Sequence, residues 1–185
     1  MGKDTIIEAM QRRTPRHPRH YVITVTTRAR RPNEIDGVSY HFLSKVAYRR
    51  LRDADGLLEA SEVHGNWYGT PRDQVQAALT SGRDAILKID VQGAHKVRQK
   101  VPDALLIFVV PPSLEALEAR LAGRSTESPA DLARRREDAA YELSRQADYD
   151  HVVVNETDQI DSTAERIDAI IAAEHLRFAD RRILV

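Results

Sequence analysis

The sequence predicts an α/β fold in which helices cover a parallel sheet, with a smaller mixed insertion in the first half. Two observations carry this prediction. Short runs that are apolar throughout, Ala85 to Ile89, Leu105 to Val110 and His151 to Val154, alternate with long helix-forming segments. Strands without polar alternation belong to parallel sheets buried on both faces. The stretch from about Arg30 to Leu79 changes style, with shorter elements separated by turn residues. A chain of 185 residues, 42% of them hydrophobic, can fill the core of one domain with such an insertion.

The elements follow in order. Thr5 to Arg13 reads as a helix with Ile6, Ile7 and Met10 on one face, stopped by Pro15 and Pro18. Tyr21 to Thr26 (YVITVT) is β-branched and reads as one strand. Arg28 to Gly37 is a polar turn region, and Ser39 to Leu43 a short strand. A helix over Val46 to Leu51 and a strand over Leu57 to Val63 come next. Gly65-Asn66 marks a turn into Trp67-Tyr68, and Pro71 to Leu79 is a helix with proline at its start. Beyond the strand at Ala85, helices are predicted at Val91 to Lys100, Leu114 to Ala122, Ala130 to Gln146 and Ile160 to Phe178.

Composition narrows the function classes. Charged residues make up 30% of the chain but the formal net charge is +0, so no global attraction to nucleic acid or membrane is expected. The absence of cysteine excludes disulfides and thiolate metal sites. No apolar run reaches membrane-spanning length and no leader pattern follows Met1, so a soluble cytoplasmic protein, monomer or homodimer, is expected. The histidines lack metal-ligand spacing; His17 and His20 flank Pro18 and read as a surface loop.

Chemistry has to come from local clusters. The chain opens MGKDT, and Gly2-Lys3 before a helix is how a phosphate-binding loop ends: backbone N–H groups attract phosphate oxygens and the lysine adds a charge. Taken alone, these two residues read as an ordinary start. Arg28 and Arg31 offer two guanidinium forks for an anion, or a solvated basic turn. Tyr40 and Tyr68 offer O–H donors, or edge-strand aromatics. Glu59 stands in the apolar run LLEAS, where an inward carboxylate needs a partner. Arg120, Arg124 and Arg135 belong to an arginine-dense region; that pattern also suits an amphipathic helix paired with Glu137 and Asp138, while Arg134 and Arg136 read as solvent-facing.

Five stretches in order resemble one family: VTTRARRPNE (Val25 to Glu34), SEVHGNWYGTPRDQV (Ser61 to Val75), ILKIDVQGA (Ile86 to Ala94), RLAGRSTES (Arg120 to Ser128) and DYDHVVVNE (Asp148 to Glu156). Together they are similar to guanylate kinases, P-loop nucleoside-monophosphate kinases that move the γ-phosphoryl of ATP to GMP. The resemblance runs from about Gly2 to Phe178. It implies one domain with a core (1–29, 80–119 and 148–180), a GMP-binding subdomain (about 30–79) and a helical lid (about 120–147).

The resemblance also implies roles. Arg28, Arg31, Tyr40 and Tyr68 match the family's ligands to the GMP phosphate. Glu59 and Asp90 match its guanine-reading acids, and Thr24 and Thr70 its small hydroxyl residues at the base. Guanine presents N–H donors where these carboxylates accept; adenine does not. Gly2, Lys3, Asp4 and Thr5 fall at the ATP phosphates, with Lys3 in the catalytic set beside Arg28. Arg120, Arg124 and Arg135 match the lid arginines that close on transferring charge, Arg120 and Arg124 also being ATP ligands. Asn155 matches the adenine-side asparagine. Mg²⁺ is expected with ATP, held mainly by phosphate oxygens and water, with Asp4 a possible protein ligand.

Three positions depart from the pattern. Asp4 stands where the family has Ser or Thr, Lys88 where it commonly has Asp, and Asn33 where Gly is usual. The family's first strand and most of its glycine-rich loop have no counterpart before Gly2. The expectation is therefore that the natural start lies upstream and that the chain as written transfers phosphate weakly. GMP phosphorylation, extending to dGMP, is the expected function; the alternative is a guanylate kinase-like binding module that takes phosphopeptides at the GMP site.

Overall fold

The computed structural model describes residues 2–122 and 129–177, with side chains placed except at 120–122 and 129–135. The chain forms two compact units. Of the described residues, one combines those up to Arg16 with Leu105 to Arg177; the other is His17–Ala104.

The His17–Ala104 unit holds two sheets. A parallel pair joins β1 (Arg19–Tyr21) to β6 (Asp84–Ile86), in register from Arg19 opposite Asp84 to Tyr21 opposite Ile86. A four-stranded sheet runs in the order β3 (His41–Phe42), β2 (Val25–Thr26), β5 (Asn66–Pro71), β4 (Leu57–Val63). The β4–β5 hairpin is antiparallel, and its register shifts between Leu57 and Glu59, leaving Leu58 as a bulge. Helices α2 (Lys45–Asp53), α3 (Arg72–Thr80) and α4 (Val91–Lys100) complete the unit. Ser44 caps α2 by accepting a bond from Ala47 N–H at 3.1 Å.

The expected single strand from Tyr21 to Thr26 is two strands in two different sheets. Val22 N–H still bonds Ile86 C=O at 3.0 Å, but Ile23 turns to a side chain: its N–H donates to Gln74 Oε1 (2.9 Å) and its carbonyl accepts from Gln74 Nε2 (3.2 Å). One glutamine amide thus acts as the ladder partner while the chain crosses from one sheet to the other. β-branched composition reports extended backbone, not which neighbour it pairs with. His20 is likewise a half-buried β1 residue beside Gln74, not part of a surface loop.

The bulge gives β4 three consecutive buried residues, Leu57, Leu58 and Glu59. Leu57 joins Val25 and Tyr48 in one apolar cluster, whereas Leu58 joins Val22, Val75, Val97 and Val101 in another. Regular alternation alone would part the two leucines in this way; what the bulge adds is that Glu59 faces α4 together with Leu58 instead of following Leu57.

In the other unit α1 (Lys3–Gln11) packs on α7 (Ile160–Arg177), and β7 (Ile107–Val110) pairs in parallel with β8 (His151–Val154). Ile6, Ala9 and Met10 on α1, and Ala164, Ile167 and Ile171 on α7, are buried. At the margin Arg13 Nε bonds Asp168 at 2.8 Å. Helix α5 (Leu114–Ala122) and helix α6 (Pro129–Ser144) are bridged by Arg136 to Glu118 at 3.3 Å, and a single 3-10 turn follows at Gln146–Asp148. Among the described residues no helix is long and apolar enough to cross a membrane.

Candidate active site

The eight residues expected at the acceptor nucleotide all lie in the His17–Ala104 unit, and they form two chemically distinct ends. At the buried end is Glu59, 3% exposed. Its Oε1 accepts from Thr70 Oγ1 at 2.8 Å and its Oε2 from Ser61 Oγ at 3.0 Å. Burial pushes the Glu59 carboxyl above the usual carboxylate range; the two hydroxyls oppose this, the nearby Asp90 charge reinforces it, and Lys96 opposes it. Thr70 is Glu59's cross-strand partner on β5, so the hairpin register itself delivers the hydroxyl. Ser61 stands two residues along β4, on the same face.

Asp90 caps α4: its Oδ1 accepts from Gly93 N–H at 2.7 Å. The first turn of that helix lies directly on Glu59. A Cβ on Gly93 would stand 3.0 Å from Glu59 Oε2 and 3.2 Å from Glu59 Cδ, so only glycine leaves the carboxylate in place. Thr24 is buried, and its carbonyl accepts from His41 N–H at 2.9 Å.

The other end is half-exposed and cationic. Arg28 bonds Glu34 Oε1 through Nη2 at 2.6 Å and donates to Ala29 C=O through Nη1 at 2.7 Å. Glu34 Oε2 accepts from Arg31 N–H at 2.8 Å, so one carboxylate closes the loop from Arg28 to Glu34. The bond to Glu34 holds the Arg28 guanidinium above its ordinary value, burial opposing and Tyr68 adding to the rise. Burial alone would raise Glu34, but its bonds from Arg28 and Arg31 outweigh that and leave it below the usual range.

Arg28 Cζ lies 5.5 Å from the centroid of the Tyr40 ring, and Lys88 Nζ lies 4.7 Å from the same centroid. Tyr40 meets Tyr68 edge-on at 6.1 Å. Asp36 shapes the turn that presents Tyr40: its Oδ1 accepts from Phe42 N–H at 2.9 Å. Arg31 is exposed.

The expected ATP-side residues lie in the other unit. Gly2 caps α1 with left-handed backbone, φ 75° and ψ 24°, which favours glycine. Its carbonyl accepts from Thr5 Oγ1 at 2.8 Å and from Ile6 N–H at 3.1 Å. A Cβ there would come within 2.9 Å of Asn155 Nδ2. Asn155 is buried, and its Oδ1 accepts from Thr163 Oγ1 at 3.3 Å. Lys3 and Asp4 occupy the first turn of α1, Lys3 half-buried and Asp4 exposed. Arg124 lies outside the described residues, as do the side chains of Arg120 and Arg135, whose backbones belong to α5 and α6.

Sequence reading missed Ser61, Glu34 and Gly93. Ser61 was findable, since it alternates with Glu59 on a strand. Glu34 and Gly93 carry no local signal: one is a polar turn residue, and the other matters for the atoms it lacks. Among the described residues no group of three or more His, Cys, Asp or Glu could hold a metal ion.

Similarity to known proteins runs along nearly the whole chain. The guanylate kinase family model matches residues 1–174. A guanylate kinase of Streptococcus agalactiae (serotype III, strain NEM316) is 44% identical over 177 residues, covering 96% of this chain and 83% of that protein. One from Chelativorans sp. (strain BNC1) is 42% identical, covering 97% and 81%, and one from Bordetella pertussis (strain Tohama I) is 41% identical, covering 98% and 83%. The crystal structure of guanylate kinase from Anaplasma phagocytophilum superimposes with a TM-score of 0.80 at 31% identity, covering 98% of this chain and 86% of that one. A family model that spans residues 1–174, relatives at 41–44% identity over nearly the whole chain and a matching fold all point one way: the chain belongs to the guanylate kinase family.

Proposed function

We propose that the chain catalyses ATP-dependent phosphorylation of GMP, and of dGMP, with guanine read at Glu59 and Asp90 and the acceptor phosphate taken at Arg28, Arg31, Tyr40 and Tyr68. The observation that carries this is the Glu59 carboxylate. Two oxygens offer about four acceptor positions, and the hydroxyls of Thr70 and Ser61 occupy two. What remains suits two further N–H donors, the number guanine presents on its N1 and exocyclic-amine edge. Adenine presents an acceptor at the corresponding ring nitrogen, so its binding would leave a buried carboxylate facing a lone pair, at a cost of about 1–3 kcal/mol or more. None of the assigned groups is reserved for the ribose 2′-hydroxyl, which is why the deoxynucleotide is included.

At the cationic corner Arg28 exchanges Glu34 for the incoming phosphate. A phosphate dianion competes for the same guanidinium fork, and the O–H groups of Tyr40 and Tyr68 supply neutral donors that hold it without adding charge. Orientation of the acceptor oxygen is the main contribution of these residues, because phosphoryl transfer relies on positioning and electrostatics more than on a protein base. At the donor side the half-buried Lys3 and the first turn of α1 suit phosphate oxygens. Mg²⁺, when bound with ATP, offsets negative charge on the phosphates. The exposed Asp4 suits an ion that arrives on the nucleotide and keeps its waters. Arg120, Arg124 and Arg135 complete the reading as the cations that close on the transferring group.

A coupled assay for nucleoside diphosphate, run with ATP and GMP, dGMP, IMP or AMP, tests the proposal. Turnover of GMP and dGMP with little of IMP or AMP is expected. Equal use of AMP would overturn the guanine assignment.

A further inference from the structure

We propose that Lys96 and Lys100 of α4 are positioning residues for the guanine-reading carboxylate: they grip the outer edge of β4 on either side of Glu59 and fix its distance from Asp90. The inference rests on the guanine reading of Glu59 and deepens it.

β4 ends its sheet, so its outer edge has no strand partner among the described residues. Two lysine ammoniums bind there instead. Lys96 Nζ donates to Ala60 C=O, and Lys100 Nζ donates to Leu58 C=O at 2.7 Å. Four residues along a helix rise about 6 Å, and two along a strand about 6.6 Å, so the spacings match and the two bonds work as a pair. Both acceptors adjoin Glu59, and Leu58 is the bulged residue. A bulge re-aims the neighbouring side chain and disrupts the ladder locally; here Lys100 holds the carbonyl of the bulge.

The same helix carries Asp90 as its cap and Gly93 against the Glu59 carboxylate. Binding β4 to the middle and end of α4 therefore sets how the two acids stand to one another. A strand edge free to breathe would move Glu59 and leave Asp90 behind. Lys96 has a second effect, because its positive charge favours the ionised form of Glu59 against burial and Asp90. The groups facing Glu59 are Thr70 on β5, Ser61 on β4, Asp90, Gly93 and Lys96 along α4, and Tyr48 on α2, whose phenol burial and the Glu59 charge push up to about 12. Of these, Lys96 alone is cationic.

The test uses calorimetric titration of the full chain with GMP and with guanosine across pH, needing neither ATP nor turnover. Lys100→Met is expected to weaken both ligands equally, by about tenfold, because the loss is at the base. Lys96→Met does the same and also moves the acid limit of binding to higher pH. Arginine at either position, which keeps a cationic donor, restores affinity. If a methionine variant fails to fold, Lys96→Gln decides: its neutral donor keeps the carbonyl bond, and the acid limit should still rise. Wild-type affinity in both folded methionine variants, a loss confined to GMP, or an unmoved acid limit in Lys96→Gln each overturns the proposal. Glu59→Gln serves as control: if it binds GMP as the wild type does, the guanine reading itself fails, whatever the lysines do.

Discussion

The buried end of the candidate site at Glu59 and its cationic end at Arg28 are built on opposite principles. Glu59 is buried, bonded by two hydroxyls and pressed by the backbone of Gly93, so it is arranged before any ligand arrives. Arg28 is held instead by a carboxylate six residues away, which on the proposed reading a phosphate would have to displace. On the proposed reading, selectivity is placed where the acceptor is already arranged, and charge where a partner would exchange. A rigid acceptor rejects the wrong base through unpaired polar groups; an exchangeable ion pair keeps the arginine folded and oriented while the site is empty.

The largest way to break this contrast is at the arginine. Arg28→Ala should weaken GMP by about a hundredfold, on the scale of charge-assisted bonds, yet leave guanosine binding almost unchanged; parallel titrations check this. Equal losses for the two ligands would mean that the arginine shapes the base pocket.

Glu59→Gln should cost roughly ten- to a hundredfold in GMP affinity and weaken guanosine alongside. It should also raise the melting temperature at neutral pH. The folded-state pKa of Glu59 lies above its unfolded value, so its contribution to stability is present at low pH and is lost as pH rises through the folded value. Removing the charge removes that penalty. Thermal melts from pH 4 to 8 should show the variant's advantage growing with pH. Glu34 has the opposite sign: its depressed pKa gives stability that is present above the ordinary carboxylate range and lost as pH falls through the folded value.

Gly93→Ala should weaken GMP roughly tenfold, the scale of forcing one methyl into close-packed surroundings, although alanine is otherwise the better helix former. Normal affinity would mean that Glu59 can give way. The smallest effect is expected from Glu34→Gln, which keeps an acceptor for Arg31 N–H but frees Arg28: a few-fold tighter GMP, on the scale of a partly exposed ion pair, with a slightly lower melting temperature.

Much of this was legible in the sequence. The strand at Leu57–Val63, α4 and α5 fall where periodicity and apolar runs place them. Glu59 standing among leucines marked an inward carboxylate that needs partners, and Thr70 and Ser61 are those partners; Asp90 was marked by the family resemblance alone. The division of Tyr21–Thr26 between two sheets was not legible, because a distant side chain, Gln74, makes that crossing. The bulge at Leu58 was equally hidden: LLEA reads as plain strand, and only pairing with β5 reveals the extra residue. Glu34 and Gly93 matter through contacts that no local pattern encodes.

The Arg28–Glu34 pair has a consequence for inhibitor design. Any anionic phosphate mimic competes with an internal carboxylate already at the guanidinium, so part of its attraction is cancelled before binding begins. A ligand that keeps the guanine edge but carries a neutral acceptor toward Tyr40 and Tyr68 would leave that pair intact. Its affinity would then be governed by shape and hydrogen bonding at Glu59, and would change little with ionic strength.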